Sequence, residues 1–330
     1  MEFGVPTAQQ LAEFFLAAQH PLTRRWVDDG ARLALLAEQR SDDVLLATDV
    51  TVAASRARRF APRQPAQALL NYWVAAAADL HAMMSIRYQG LDPAKPFVDA
   101  TVLSRPFTAD DMAALAQAAA KTYGTLQPRY LRLWSAAPAS RFADTIPDKR
   151  FLAAPVTALR AGAGQPVPTG LGLAPASSLE HYTHARAAYD AMATKHPGHP
   201  EQAGIADLED LQDNLANGTL FDVTIDDRWA GYLAVSTNGE SLGMPAYIVE
   251  ELVLATPFRG RGYGPYLTTL LARALPDATR ILVGTIHANN QGARHAAERA
   301  GRRDIGGWIQ LPLQRSQDSA ESTPDHTDQR

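Results

Sequence analysis

The chain of 330 residues contains no cysteine. Disulfides, a cysteine zinc site and a thiol acyl-enzyme are therefore excluded, and any group transfer must use another nucleophile or pass straight to an acceptor. An excess of one charge sign is also missing. The formal net charge is −4 and the pI lies near 6.1, which removes the electrostatic footprint of a nucleic-acid binder. No apolar run is long enough to span a bilayer, so no membrane partner is expected. The opening Met1-Glu2-Phe3-Gly4 lacks the basic region and apolar core of a secretory signal, and the cytoplasm is the expected compartment. Lysine is scarce at 4 of the 31 basic residues, a bias of composition that says nothing about activity.

What is present is ordinary for a globular protein, with 46% hydrophobic residues. The length exceeds what a single core usually serves, so two domains are expected. Residues 1 to 160 hold 18 Lys+Arg against 15 Asp+Glu, and the remainder hold 13 against 20, an imbalance that favours a cationic or amine partner for the second half. The Gly- and Pro-rich stretch from Ala161 to Gly172 is the best linker, which places the boundary near residue 165. The expected division is thus 1–164 and 165–313, followed by a polar tail from Gln314 to Arg330 that reads as disordered.

In the second half, apolar spacing predicts helices over 178–194 and 206–216. Strands over 220–226 and 229–236 follow around Asp226-Asp227-Arg228, a hairpin signature, and a third strand spans 247–254. A helix over 264–275, a strand over 280–286, a helix over 291–300 and a last strand near 307–313 complete the order. The third strand runs straight into Arg259-Gly260-Arg261-Gly262-Tyr263-Gly264. Three glycines in that turn let the backbone bend tightly and bring its amides to an anion, and the following helix adds its positive dipole end.

Both the Arg-x-x-Gly-x-Gly spacing and the element order resemble the coenzyme A site of the GNAT N-acetyltransferase superfamily over roughly residues 166–313. The fold class implied is α/β (α+β), a mixed central sheet flanked by helices. The activity implied is direct transfer of an acetyl group from acetyl-CoA to a primary amine, small-molecule or peptide, within a ternary complex, by a monomer or homodimer. A non-catalytic acyl-CoA-binding or regulatory protein is the alternative. By the same resemblance, the backbone of Leu252, Val253 and Leu254 pairs with the pantetheine arm and polarises the thioester. Residues Arg259 to Gly264, including Tyr263, take the pyrophosphate, and Asn290 touches the cofactor besides capping its helix. Glu250, nine residues before Arg259, is the expected base. Strand alternation sends Glu251 to the opposite face, and partial burial is expected to raise the pKa of the base. The family's usual acid, a tyrosine, has Ala297 in its place, and neither Tyr263 nor His295 stands at that position.

The first half resembles the second when slid by 151 positions without gaps. Val102-Leu103-Ser104-Arg105-Pro106-Phe107 then falls on Val253-Leu254-Ala255-Thr256-Pro257-Phe258, Asp99 on Glu250 and Leu131 on Leu282. A tandem duplication is inferred, with a degenerate first copy: Thr108-Ala109-Asp110-Asp111-Met112 replaces the glycine loop and would face the phosphates with two carboxylates. Other signals carry less. Gly239-Glu240-Ser241-Leu242-Gly243 fits a hairpin loop better than a nucleophile elbow. His181, His184, His196 and His199 read as surface residues, no metal being expected, and Arg56, Arg58, Arg59 and Arg63 read as one solvated face.

Overall fold

The computed structural model describes residues 4–161 and 166–313. The expected boundary near 165 and the tail from 314 lie outside them. In chain order the elements are α1 (Ala8–Ala17), α2 (Asp29–Thr48), α3 (Val50–Phe60), β1 (Tyr72–Ala77), β2 (Leu80–Tyr88), β3 (Pro96–Leu103), α4 (Met112–Tyr123), β4 (Tyr130–Ser135), β5 (Ile146–Pro155) and α5 (Val156–Ala161). They continue as β6 (Leu171–Pro175), α6 (Tyr182–Lys195), α7 (Leu208–Ala216), β7 (Leu220–Ile225), β8 (Arg228–Ser236), β9 (Glu240–Ser241), β10 (Met244–Leu254), α8 (Gly264–Ala274), β11 (Ile281–His287), α9 (Gln291–Arg299) and β12 (Arg303–Pro312). The last strand starts four residues before the expected one, because the sequence signal at Arg303-Asp304 is polar while its β5 partner supplies the pairing.

Local chemistry sets many of these ends. Thr7 and Gln10 form a capping box on α1, and Asp28 and Asp49 cap α2 and α3 with their carboxylates. The β7–β8 hairpin turns on Asp226 and Asp227, both at positive φ (50° and 59°), as a tight right-twisted hairpin requires. The Gly239–Gly243 stretch is a hairpin loop in which β9 pairs with the start of β10.

All the strands form one mixed sheet, in the order β1-β2-β3-β4-β12-β5-β11-β10-β8-β7-β6 with β9 on β10. Each half contributes three strands, a helix and a parallel fourth strand: β1, β2, β3, α4 and β4, then β7, β8, β10, α8 and β11. The next strand of each half crosses to the other. β5 pairs with β11 and β12 pairs with β4, so the two copies exchange a strand and meet along β5–β12. The seam is symmetric: Ala153 pairs with Arg303 and Gln310 with Ile146, Leu152 with Asp304 and Ile309 with Pro147, and Arg150 with Gly307 at the centre. This is the register a duplicated unit produces about a pseudo-two-fold axis, and the fold is one mixed-sheet unit, flanked by helices, repeated in tandem.

The ladders also correct the gapless alignment. Met83 and Met84 pair with Val102 and Ala100 around a β-bulge, as Ala234 and Val235 pair with Glu251 and Val249. Val98 pairs with Leu131 as Tyr247 pairs with Leu282. β2 and β4 therefore match β8 and β11 at an offset of 151, whereas β3 matches β10 at 149, and Asp99 is not the counterpart of Glu250. The first copy is longer between Met84 and Ala100 than the second between Val235 and Val249, and shorter after the strand. Two compensating length changes hid each other in the sequence.

The helices cover both faces. Ala53 and Ala57 of α3 with Leu115, Ala119 and Tyr123 of α4 close the core of the first half, and Leu267 and Leu271 of α8 with Leu159 of α5 close that of the second. α6 and α7 pack Ala185, Ala188 and Leu211 on Tyr232 and Val253. The α1–α2 pair lies across the middle, where Leu11, Phe15 and Leu36 meet Met83 and Val102 of one half and Met244, Ala246, Ile281 and Val283 of the other. Each fully buried leucine there contributes about 1.5–3 kcal/mol, so these helices hold the halves together. Arg56 departs from the expected solvated face: half-buried on α3, it donates to the carbonyls of Leu69 and Ile86.

Candidate active site

The parallel ladder between β10 and β11 runs from Ala246–Ile281 to Val249–Gly284 and stops, although β10 continues to Leu254 and β11 to His287. Beyond that vertex the strands diverge. On its other edge β10 stays paired with β8 through Leu254–Gly231. Val249 to Leu252 of β10 thus border a cleft of about 290 Å³, whose walls include Gly264, Asn290, Ala293 and Ala296, while Val253 and Leu254 lie beyond its lining. The cause of the divergence is the bulge at Glu250, which adds a residue to one strand and increases its local twist.

The bulge also corrects the expected alternation. Glu250 and Glu251 do not go to opposite faces: both line this cleft. Glu251, 2% exposed, is the buried one. It accepts hydrogen bonds from the Tyr189 hydroxyl (2.6 Å) and the Ala206 amide (2.9 Å). Burial pushes its carboxyl above the ordinary value, against these hydrogen bonds and the nearby charge of Arg259. Tyr189 is pushed up as well, first by burial and then by Glu251. Glu250 is exposed and accepts from Asn214 Nδ2 at 2.7 Å. It also faces a neighbouring basin of about 470 Å³ with Asp210 and Asp213 of α7 and several neutral polar groups. Neither the Tyr189–Glu251 pair nor this acidic basin was visible in the sequence, because both join α6 or α7 to β10 across several tens of residues.

The glycine loop closes the far end of β10. Gly260 and Gly262 sit at φ of 72° and 83°, where a side chain is strained, and open space surrounds both. α8 then begins with Pro265 in its first turn, no acidic residue and no side-chain cap, so its first amides have no side-chain acceptor. Gly264 lets α8 approach α9: a methyl there would lie 2.9 Å from Ala296 Cβ. Arg259 turns inward. Its Nε donates to the Leu254 carbonyl (2.6 Å), its Nη1 to the Ala188 carbonyl (3.1 Å), and its guanidinium lies 5.9 Å from the Tyr189 ring. It braces the loop, while Arg261 is exposed on it. Tyr263 directly precedes α8, and Asn290 caps α9 by accepting from the Ala293 amide at 3.3 Å. Ala297 is fully buried and His295 exposed, so neither brings a proton donor to the cleft.

The corresponding place in the first half is filled from within. Asp111 accepts from the Thr108 amide (2.7 Å) and hydroxyl (3.0 Å) in a capping box, and forms a two-pronged ion pair with Arg105, which also holds Asp79. Arg105 holds the Asp111 carboxyl far below the usual carboxylate range. An internal carboxylate already occupies the helix end that a phosphate would need. The first half instead reaches the second half's cleft: Lys149 of the exchanged β5, paired with His287, is part of its wall.

Residues 185–301 match the model of the Acetyltransferase (GNAT) family. No curated protein matches the sequence. Among solved structures, the chain is similar to a GCN5-related N-acetyltransferase from Kribbella flavida, at 14% identity and a TM-score of 0.41 over 81% of this chain and 95% of that one. It is similar to a tandem GNAT protein from the clavulanic acid biosynthesis pathway at 13% identity and a TM-score of 0.39, over 81% of this chain and 88% of that one. A GNAT-family acetyltransferase from Colwellia psychrerythraea gives 10% identity and a TM-score of 0.44, over 74% of this chain and 84% of that one. The stretch that is similar to the acetyltransferase (GNAT) family, residues 185–301, carries the glycine loop and most of the cleft's walls.

Proposed function

We propose that the protein is an N-acyltransferase that moves an acetyl group from acetyl-CoA to a primary amine in a ternary complex. The observation that carries this reading is the divergence of β10 from β11, which ends in an uncapped helix start behind two left-handed glycines. These parts fit the donor. The pyrophosphate lies on the amides of Gly260 to Gly264 with Arg261 beside it, and the pantetheine arm runs along Leu252 to Leu254 towards the vertex. Asn290 holds the start of α9 against the same arm.

The acceptor enters from the basin lined by Asp210, Asp213 and Glu250, whose carboxylates suit an ammonium group. An amine of pKa about 10.4 costs roughly 4 to 5 kcal/mol to deprotonate at neutral pH. Glu250, standing between basin and cleft, takes that proton directly or through one water. The amine nitrogen then attacks the thioester carbon, whose oxygen is polarised by a β10 amide, and the carbon–sulfur bond breaks. The thiolate of coenzyme A leaves and is protonated. Ala297 has no proton to give. The Tyr189 hydroxyl on the cleft wall already donates to Glu251 and is held well above its ordinary pKa, so we assign this step to water.

The missing tyrosine at Ala297 also supports a second reading, an acyl-CoA-binding protein without turnover. Thiol release from acetyl-CoA in the presence of a panel of primary amines separates the two: amine-dependent release supports the transferase, and binding without release supports the second reading.

A further inference from the structure

Arg302 follows α9 and enters the cleft from the α8–α9 side. It is 4% exposed, its Nε has no hydrogen-bond partner, and its side chain forms no ion pair among the described residues. Burial alone pushes its pKa down to about 10, with no carboxylate acting against it. Its position is fixed by Gly284: a methyl on that residue would lie 2.5 Å from Arg302 Nη1 and 3.6 Å from Val249 Cβ. Val249 and Gly284 are the last pair before the strands diverge. The guanidinium therefore sits at the vertex. From there to Leu254 β10 covers five residues, roughly 16 Å at about 3.3 Å each, before the glycine loop begins. Arg302 is thus at the thioester end and far from the pyrophosphate.

A buried guanidinium without a partner is costly, and it becomes favourable when a ligand brings a carboxylate into the same dry place. The other buried arginines of this chain show the contrast. Arg150 holds Asp304, and Arg32 reaches Gln19 and the Leu242 carbonyl. We infer that Arg302 receives a carboxylate at the end of the donor's acyl chain, so that the donor is the coenzyme A thioester of a short dicarboxylic acid. The acceptor side argues for the donor as the source of this charge, because Asp210 and Asp213, which line the basin and not the cleft, repel an acceptor carboxylate. This inference rests on the acyltransferase reading and refines its donor.

The test is calorimetric binding of coenzyme A, butyryl-CoA and succinyl-CoA to the full chain, to Arg302→Met and to Arg302→Lys. The two thioesters have the same number of acyl carbons and differ in the terminal carboxylate. Succinyl-CoA is expected to bind the native protein at least tenfold more tightly than butyryl-CoA. In Arg302→Met the preference disappears, and in Arg302→Lys, which keeps the charge but loses the planar fork, part of it returns. Methionine replaces an unpaired buried charge by an apolar chain of similar length, so the melting temperature should not fall, and that measurement shows that the variant is folded. A native preference below twofold, or one that survives in Arg302→Met, overturns the inference while coenzyme A binding leaves the acyltransferase reading standing. No binding of any of the three ligands defeats both. An Arg302-dependent preference for an amino acid over its carboxamide, measured with coenzyme A bound, places the carboxylate on the acceptor and overturns the donor assignment.

Discussion

Arg150 of β5 stands opposite Gly307 of β12, the central pair of the seam at which the two halves exchange strands. The pair is asymmetric in chemistry although symmetric in register. The buried Arg150 guanidinium crosses to Asp304 with bonds of 2.8 and 3.1 Å, and Arg294 adds a contact of 3.3 Å to the same carboxylate. Gly307 leaves room for this crossing, since a methyl there would lie 2.3 Å from the Lys149 carbonyl oxygen and 2.8 Å from Arg150 Cα.

Two substitutions at the seam follow from this. Gly307→Ala forces β5 and β12 apart and is expected to cost about 1–3 kcal/mol, as overpacking of a filled interior does. Arg150→Met removes the principal partner of Asp304 but leaves Arg294, and is expected to cost about 1.5–3 kcal/mol. Urea unfolding followed by circular dichroism should show a lower midpoint with one transition in both variants. A midpoint within error of the native one would mean that the seam does not hold the halves.

Strand exchange also bears on separability. β5 completes the second half's ladder on β11, and β12 completes the first half's on β4. Fragments 1–165 and 166–330 each carry the other's strand and are expected not to fold alone, but to recover a cooperative transition when refolded together. Two independently folded fragments would contradict the exchange.

The sequence made the second half legible because its signals are local. Period-3.6 and period-2 patterns, the Asp226-Asp227 turn and the glycine loop each act within a few residues. The seam was not legible. β5 and β12 pair across more than 150 positions, and nothing in Ile146 to Pro155 states which strand will receive it. The bulge was hidden for a related reason: it is a property of the β8–β10 ladder, so reading β10 alone gave a regular alternation and assigned burial to the wrong glutamate. Arg302 carries no local signal either, since it is Gly284, on another element, that leaves room for it at the vertex.

Glu251 gives a pH dependence with a definite sign. Burial raises its carboxyl in the folded protein above its value in the unfolded chain, so the folded state binds its proton more tightly. The stability this proton contributes is complete below the unfolded value and is lost as pH rises through the folded one. Comparing the native protein with Glu251→Gln between pH 4.5 and 8, the native advantage should shrink as pH rises. A native advantage that grows with pH would show that Glu251 is held as the anion.

Turnover should depend on Glu250. Glu250→Gln keeps an acceptor for Asn214 and removes the base, and the rate is expected to fall by about 10²–10⁴ with acetyl-CoA affinity little changed. Steady-state and binding measurements on the same variant check this, and an unchanged rate removes Glu250 from the mechanism.

The central claim is that the divergence of β10 and β11 and the open glycine loop hold coenzyme A, and calorimetric titration of the native protein and Gly262→Asp with acetyl-CoA tests it most directly. Aspartate at that exposed position, φ 83°, tolerates the left-handed backbone better than most residues and sets a negative charge against the pyrophosphate. The account predicts saturable binding to the native protein and its loss in a variant that still unfolds cooperatively. Absence of binding to the native protein, or equal binding to both, would contradict it.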